Sequence, residues 1–157
     1  MDETFFRIRS ATAADAFAAR EVVFPVLESY ALEPEPEGAD ADLFDLDGAY
    51  LKAGGAFWVV EDDRGEVVAT CGLKPMANGS VELRKMYLMP HVRGQGLGKK
   101  LLKTAIAKAR ALGFKRIELE TASQLREAIA LYESAGFVPR EGCLETSRCD
   151  QAYQLDL

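Results

Sequence analysis

The sequence predicts a mixed α/β layer fold, and three observations carry that prediction. Two β-rich runs, residues 56–61 and 66–73, flank the turn-like Asp62-Asp63-Arg64-Gly65 and pair naturally as a hairpin. Two later segments, 97–112 and 125–135, repeat apolar residues at helical spacing, and each stops at a glycine, Gly113 and Gly136. The chain is 157 residues long with 48% hydrophobic and 28% charged residues, enough apolar material for a core and a length that suits one domain over 1–157.

Taken in order, Phe5 to Arg9 alternates apolar and basic residues as a short strand does, and Thr12-Ala13-Ala14-Asp15 has the form of a capping box. The helix it opens is expected to run to about Tyr30, bent or divided at Pro25. It ends at Glu33-Pro34-Glu35-Pro36-Glu37-Gly38, which cannot continue a helix. Leu43, Leu46, Tyr50 and Leu51 recur at near-helical spacing and predict a second short helix over 40–51, stopped by Gly54-Gly55. After the hairpin and the turn-like Asn78-Gly79, residues 81–88 read as a strand that closes at Met89-Pro90. A helix over 97–112 and a strand over 115–121 follow. The helix over 125–135 and final strands at 137–138 and 151–157 complete the series. The chain has no internal repeat.

Nineteen basic against twenty-five acidic residues give a formal charge of −6, which argues against general nucleic-acid or anionic-membrane binding. No stretch approaches the roughly 18 apolar residues of a membrane span, and Met1-Asp2-Glu3-Thr4 lacks the layout of a signal peptide, so a cytoplasmic location is expected. Cys71, Cys143 and Cys149 are odd in number without CxxC spacing, and His91 is the only histidine. Neither a disulfide framework nor a metal site is expected. His91 itself reads as a solvated turn residue.

The most informative segment is Arg93-Gly94-Gln95-Gly96-Leu97-Gly98-Lys99-Lys100, a glycine-rich turn joining a strand to an amphipathic helix. Free backbone N–H groups at a helix start attract anions, and Arg93, Lys99 and Lys100 add charge, so the turn reads as an anion cradle. Its spacing fits neither a Walker A loop nor the dinucleotide fingerprint: Arg93 stands at the first Walker glycine, Lys100 stands at its hydroxyl position, and the third glycine comes one residue early for Gly-x-Gly-x-x-Gly.

What fits is Arg-x-x-Gly-x-Gly. Together with Glu82-Leu83-Arg84-Lys85-Met86-Tyr87-Leu88-Met89-Pro90 before it and Ala128-Ile129-Ala130-Leu131-Tyr132-Glu133-Ser134-Ala135-Gly136-Phe137 after it, the chain resembles the GNAT superfamily of N-acetyltransferases along nearly its whole length. The resemblance implies a central mixed, mostly antiparallel sheet flanked by helices, and acetyl-CoA as acyl donor with no metal. Arg93, Gly94, Gln95, Gly96, Leu97, Gly98 and Lys99 would hold its pyrophosphate, and the backbone of Met86, Tyr87 and Leu88 would pair with the pantetheine arm. The family's strand bulge, whose N–H faces the oxyanion, maps to about Leu88.

Direct transfer to an amine needs a proton acceptor, an oxyanion donor and an acid for a thiolate whose conjugate pKa is ~8.5. Tyr132 matches the family's acid, and a phenol of pKa ~10 suits the task; as a bare residue it sits on an apolar helix face, where tyrosines pack. Glu82 is the first candidate base and Glu120 the competitor, while a strand glutamate such as Glu82 also reads as a cross-strand partner of Arg84 or Lys115. One departure is Leu125, where many members carry asparagine.

The acceptor is expected to be a primary amine of a small molecule or peptide, with monomer and homodimer both open. The acidic run Glu33, Glu35, Glu37, Asp40, Asp42, Asp45 and Asp47 would draw a cationic amine, or else is a solvated loop. Phe24, Tyr30, Phe44, Tyr50 and Trp58 are candidates for pocket walls or for core. The alternative function is a catalytically inactive acyl-CoA-binding regulatory module.

Overall fold

The computed structural model of the chain describes residues 5–141 and 148–157. Cys143 therefore lies outside the described residues. The elements are β1 (Arg7–Ser10), α1 (Ala16–Ser29), β2 (Ala56–Glu61), β3 (Val67–Pro75), β4 (Ser80–Leu88), α2 (Leu97–Ala111), β5 (Arg116–Thr121), α3 (Arg126–Ser134), β6 (Val138–Pro139) and β7 (Gln151–Asp156). The seven strands form one sheet in the order β1-β2-β3-β4-β5-β7-β6, antiparallel at every junction except β4–β5.

Local chemistry explains the entry into α1. Asp15 accepts the Thr12 N–H at 2.8 Å, and Arg9 holds the same carboxylate through two bonds of 2.8 and 2.9 Å while also pairing with Glu61. Pro25 does not divide the helix. It lies on the exposed side of α1, where water can satisfy the carbonyl that its missing N–H leaves without a partner.

The helix expected over 40–51 is instead two separate turns, a 3-10 turn at Ala41–Phe44 and a π-helical turn at Asp47–Leu51. Asp45 separates them. Its backbone leaves the helical region (φ −149°, ψ 74°), and its carboxylate accepts the Gly48 N–H at 2.9 Å, capping the second turn.

Alternation along the strands builds two cores. On one face Trp58, Val60, Leu83, Ile117 and Leu119 pack against Leu97, Leu101 and Ala105 of α2, with Tyr132 and Phe137 alongside. On the other face Phe57 and Val59 pack with Val23 and Leu27 of α1 and with Leu43, Leu46 and Tyr50. Because β2 and the first part of β3 are covered on both faces, they read as nearly continuous apolar runs, whereas β4 carries Glu82, Arg84 and Lys85.

Two irregularities of β4 set up the site. First, β4 pairs with β5 only at Ser80↔Arg116, Val81↔Ile117 and Glu82↔Glu118. Beyond these pairs the strands part, and among the described residues no strand pairs with that edge of residues 83–88. Second, the β3 register runs from Thr70↔Tyr87 to Gly72↔Arg84, so Lys85 and Met86 oppose the single residue Cys71. Lys85 takes φ +55° at this bulge. The expected bulge near Leu88 thus lies at Lys85–Met86.

Candidate active site

The gap between β4 and β5 opens into a cleft of about 590 Å³. Residues 82–87 of β4 form one wall, while Glu120, Thr121 and Ala122 line the opposite side. Leu32, Glu35, Gly38 and Ala39 come from the loop after α1, Leu125 and Tyr132 from the α3 region, and Arg148 and Cys149 from the approach to β7.

Strand alternation divides the groups by face. Glu82 and Glu118 are register partners, and Glu120 follows two residues later, so these three side chains face the α1 side. Val81, Leu83, Ile117 and Leu119 face α2 and α3. Glu82 is almost buried and pairs at 3.3 Å with Arg84, two residues along the same strand, so the pair runs along β4 and does not cross between strands. Tyr132 belongs to the opposite core, 5.7 Å from the Phe137 ring centroid. Burial drives its phenol well above the ordinary tyrosine range, keeping it protonated at neutral pH. Among the described residues its hydroxyl has no hydrogen-bond partner. The cleft therefore brings together Tyr132, Glu82 and Glu120.

At the end of β4 the glycine-rich turn enters α2. Gly94 and Gly96 have φ +75° and +80°, and no heavy atom lies within 4 Å of where a Cβ would stand at either one. The first intrahelical bond runs from Lys100 N–H to Gly96 O at 3.2 Å, so the amides of Leu97, Gly98 and Lys99 point out of the helix end. This is an open cradle of donors at the positive end of a helix dipole. Gly98 has a different job: a Cβ there would lie 2.9 Å from Leu131 Cδ1, so its hydrogen lets α2 approach α3.

Lys99 and Lys100 are exposed, as is Gln95, whose amide donates to His91 O at 3.3 Å. Arg93 turns back, donating from Nε to Leu88 O at 3.1 Å with its guanidinium 5.3 Å from the Tyr30 ring centroid. It ties the turn to the strand rather than extending into solvent.

The acidic run does not behave as one unit. Asp40 is fully buried: it accepts two bonds from Arg148 at 2.6 and 2.8 Å and one from the Glu35 N–H at 2.8 Å, and lies 3.2 Å from Lys85 Nζ. Although burial opposes its ionisation, Arg148 and the Glu35 amide hold its carboxyl down at about 2. Asp42 lies 3.3 Å from Lys85 and 3.7 Å from Arg84, and accepts from the Tyr50 hydroxyl. Glu33, Glu37 and Asp45 are exposed, and Glu35 lines the cleft 3.5 Å from Arg148.

None of Phe24, Tyr30, Phe44, Tyr50 and Trp58 lines the cleft. Tyr50 and Trp58 are core, and Phe44 is 52% exposed. Sequence reasoning missed Arg84, Lys85, Arg148 and Cys149 as cleft residues. The first two stand within the motif that carries the family resemblance, where alternation alone would have placed Lys85 on the opposite face. Burial, with Glu120 nearby, pushes the Cys149 thiol up to about 11, so it is a neutral thiol.

Among the described residues no helix is long and apolar enough to cross a membrane, and no group of three or more metal-binding side chains is present.

Comparison with known proteins agrees with this architecture. The chain is 43% identical over 135 residues to YjgM of Escherichia coli strain K12, named as an uncharacterised N-acetyltransferase, covering 83% of this chain and 80% of that protein. It is 32% identical over 126 residues to N-acetyltransferase 8 of Homo sapiens, spanning 73% of this chain and 55% of that one. A Staphylococcus aureus Mu50 acetyltransferase of the GNAT family superposes with a TM-score of 0.90 at 21% identity, covering 97% of this chain and 99% of its own. The acetyltransferase yncA from Salmonella typhimurium, solved with its cofactor acetyl-CoA, superposes with a TM-score of 0.74 at 26% identity over 96% of this chain and 93% of its own. The Acetyltransferase (GNAT) family pattern matches residues 20–137, and the chain belongs to that family of N-acetyltransferases.

Proposed function

We propose that this chain, acting as a single domain over 1–157, transfers the acetyl group of acetyl-CoA directly to a primary amine of a small molecule or peptide. The observation that carries this reading is the parting of β4 from β5 beside the open amides of α2. A strand edge offers N–H and C=O groups to an extended, amide-bearing chain, and the helix end offers donors to its phosphates.

The residues fit that donor on three counts. Gly94 and Gly96 leave the approach to the backbone clear, with Gln95, Leu97, Gly98 and Lys99 completing the turn. Met86, Tyr87 and Leu88 lie along the β4 edge that no strand pairs among the described residues. Arg93 fixes the turn to the strand end. Acetyl-CoA, when bound, supplies an acetyl group activated as a thioester.

An attacking amine must be neutral, so a group on the acceptor side has to take its proton. Glu82 and Glu120 both face the α1 side and are suited to do so, directly or through water. Tyr132 approaches from the other core with its phenol protonated, and serves as acid for the departing sulfur. The backbone at the Lys85–Met86 bulge supplies a fixed N–H toward the acyl oxygen. Acid and base thus stand on opposite faces of the sheet and do not neutralise one another.

The test is release of free CoA thiol from acetyl-CoA in the presence of two amine pools, one of cationic polyamines and aminoglycosides, the other of neutral or acidic amino acids. Turnover with either pool supports the transferase. Since Asp40, Asp42 and Glu35 are already paired with cations, selectivity for the cationic pool would rest on Glu33, Glu37 and Asp45. Binding of acetyl-CoA without turnover across both pools and a peptide library would count against transfer and for the binding module.

A further inference from the structure

A lysine at φ +55° in the middle of a sheet calls for a cause. Glycine takes that backbone without strain, and a side chain there persists only when its surroundings hold it. The structure shows the restraints. Lys85 Nζ donates to Ala39 O at 3.0 Å and lies 3.2 Å from Asp40 and 3.3 Å from Asp42, with its side chain only 4% exposed. Its carbonyl oxygen accepts the Thr70 hydroxyl at 2.6 Å from the neighbouring strand. The bulge puts Lys85 on the same side as Arg84, so both cations meet Asp42. Arg84 also donates to Ala39 O at 2.7 Å.

We propose that Lys85 is a positioning residue: its ammonium, held by Ala39, Asp40 and Asp42, and its carbonyl, held by Thr70, lock the β4 bulge and so aim the backbone N–H of Met86 into the cleft. The inference rests on the transferase reading above, because that N–H matters to catalysis only if an acyl oxygen meets it. It also explains why a lysine occupies a position suited to glycine. The side chain joins the loop over 33–40, which forms one side of the acceptor half of the cleft, to the strand that carries the acyl group. One buried ion set therefore fixes both partners of the reaction relative to each other.

Two variants separate the restraints. Lys85→Gly accepts the backbone angle but loses the ammonium tether. Thr70→Val keeps the side-chain shape and every charge but removes the carbonyl's donor. Each is measured for kcat, for KM of acetyl-CoA, and for hydrogen exchange at the Tyr87 amide, which faces β3 beside the bulge, with folding checked by circular dichroism. The expected result for both is at least a tenfold fall in kcat, a KM for acetyl-CoA within about twofold of wild type, and at least tenfold faster exchange at that amide. Wild-type kcat in Lys85→Gly overturns the tether, and unchanged exchange in Thr70→Val overturns the carbonyl lock. If the wild-type chain acetylates no amine, the transferase reading fails on its own, and exchange at the Tyr87 amide still decides whether Lys85 and Thr70 lock the bulge.

Discussion

Replacing Arg148 by methionine should make stability lose its acid dependence in a defined way. Arg148 gives Asp40 two charged hydrogen bonds of 2.6 and 2.8 Å and also donates to Glu33 O at 3.1 Å. Asp40 is fully buried and would keep Lys85 at 3.2 Å and the Glu35 amide. Removing one partner of a buried pair costs roughly 3–5 kcal/mol, and the lower end applies because a second cation stays.

The folded-state value of about 2 for Asp40 lies below its ordinary 3.8. Its ionisation therefore contributes stability that is fully present above about pH 4 and disappears as pH falls toward 2. That difference is worth roughly 2.5 kcal/mol at pH 7, of which about 1 kcal/mol is gone by pH 3. In Arg148→Met the carboxyl returns to its ordinary value or above, so this part of the acid dependence vanishes. Urea unfolding of both proteins at pH 7 and pH 3 should give a penalty of roughly 3 kcal/mol at neutral pH that shrinks by about 1 kcal/mol in acid. A penalty below 1 kcal/mol at pH 7, or one equal at both pH values, refutes the assignment of Arg148 as the group that holds Asp40 ionised.

Three further outcomes are expected. Tyr132→Phe should lower turnover at least tenfold while leaving acetyl-CoA affinity, by calorimetry, and urea stability nearly unchanged, because the hydroxyl has no hydrogen-bond partner among the described residues; unaltered turnover removes Tyr132 as the acid. Glu82→Gln and Glu120→Gln, compared by pH–rate profiles, should differ, with the base variant losing its acidic limb and at least tenfold in kcat; equal, small effects in both would leave the proton to water. Gly96→Ala, forced to φ +80°, should cost about 1 kcal/mol of strain at the mouth of α2 and raise the Kd for acetyl-CoA about fivefold, and an unchanged Kd would show the turn to be a plain connection.

Much of the frame was legible because its signals are local. The repeats at Leu97, Leu101, Ala105 and Ala109 and the stop at Gly113 define α2 without knowledge of anything distant. Glycines at 94 and 96 announce a backbone that side chains would obstruct, and that is where the left-handed angles fall. Gly98 carried a second meaning that spacing could not show, since the atom it makes room for belongs to Leu131.

The acid-rich stretch is the clearest case of information that is not local. From its neighbours in sequence Asp40 looks like one more solvated carboxylate. Its partners Lys85 and Arg148 lie 45 and 108 residues away, and only the packed chain brings them together. The position of the bulge was hidden for the same reason: the left-handed turn of Lys85 is set by groups on β3 and on the loop before β2, not by its own flanks. Tyr50 and Trp58 were ambiguous because an aromatic in a pocket wall and one in a core have the same local pattern.

The three-pair junction of β4 with β5 has a consequence for how the protein keeps company. Exposed strand edges on a sheet's rim invite strands of other chains, and aggregation begins there. In this sheet an edge that no strand pairs among the described residues lies in the middle, with the 33–40 loop on one side and Leu125 and Tyr132 on the other. To pair with it, a strand of another chain would have to enter between those two walls. The opening beside β4 thus lies away from the rim where strands of other chains gather, and the fold keeps an open edge in a place that such strands reach only through the cleft.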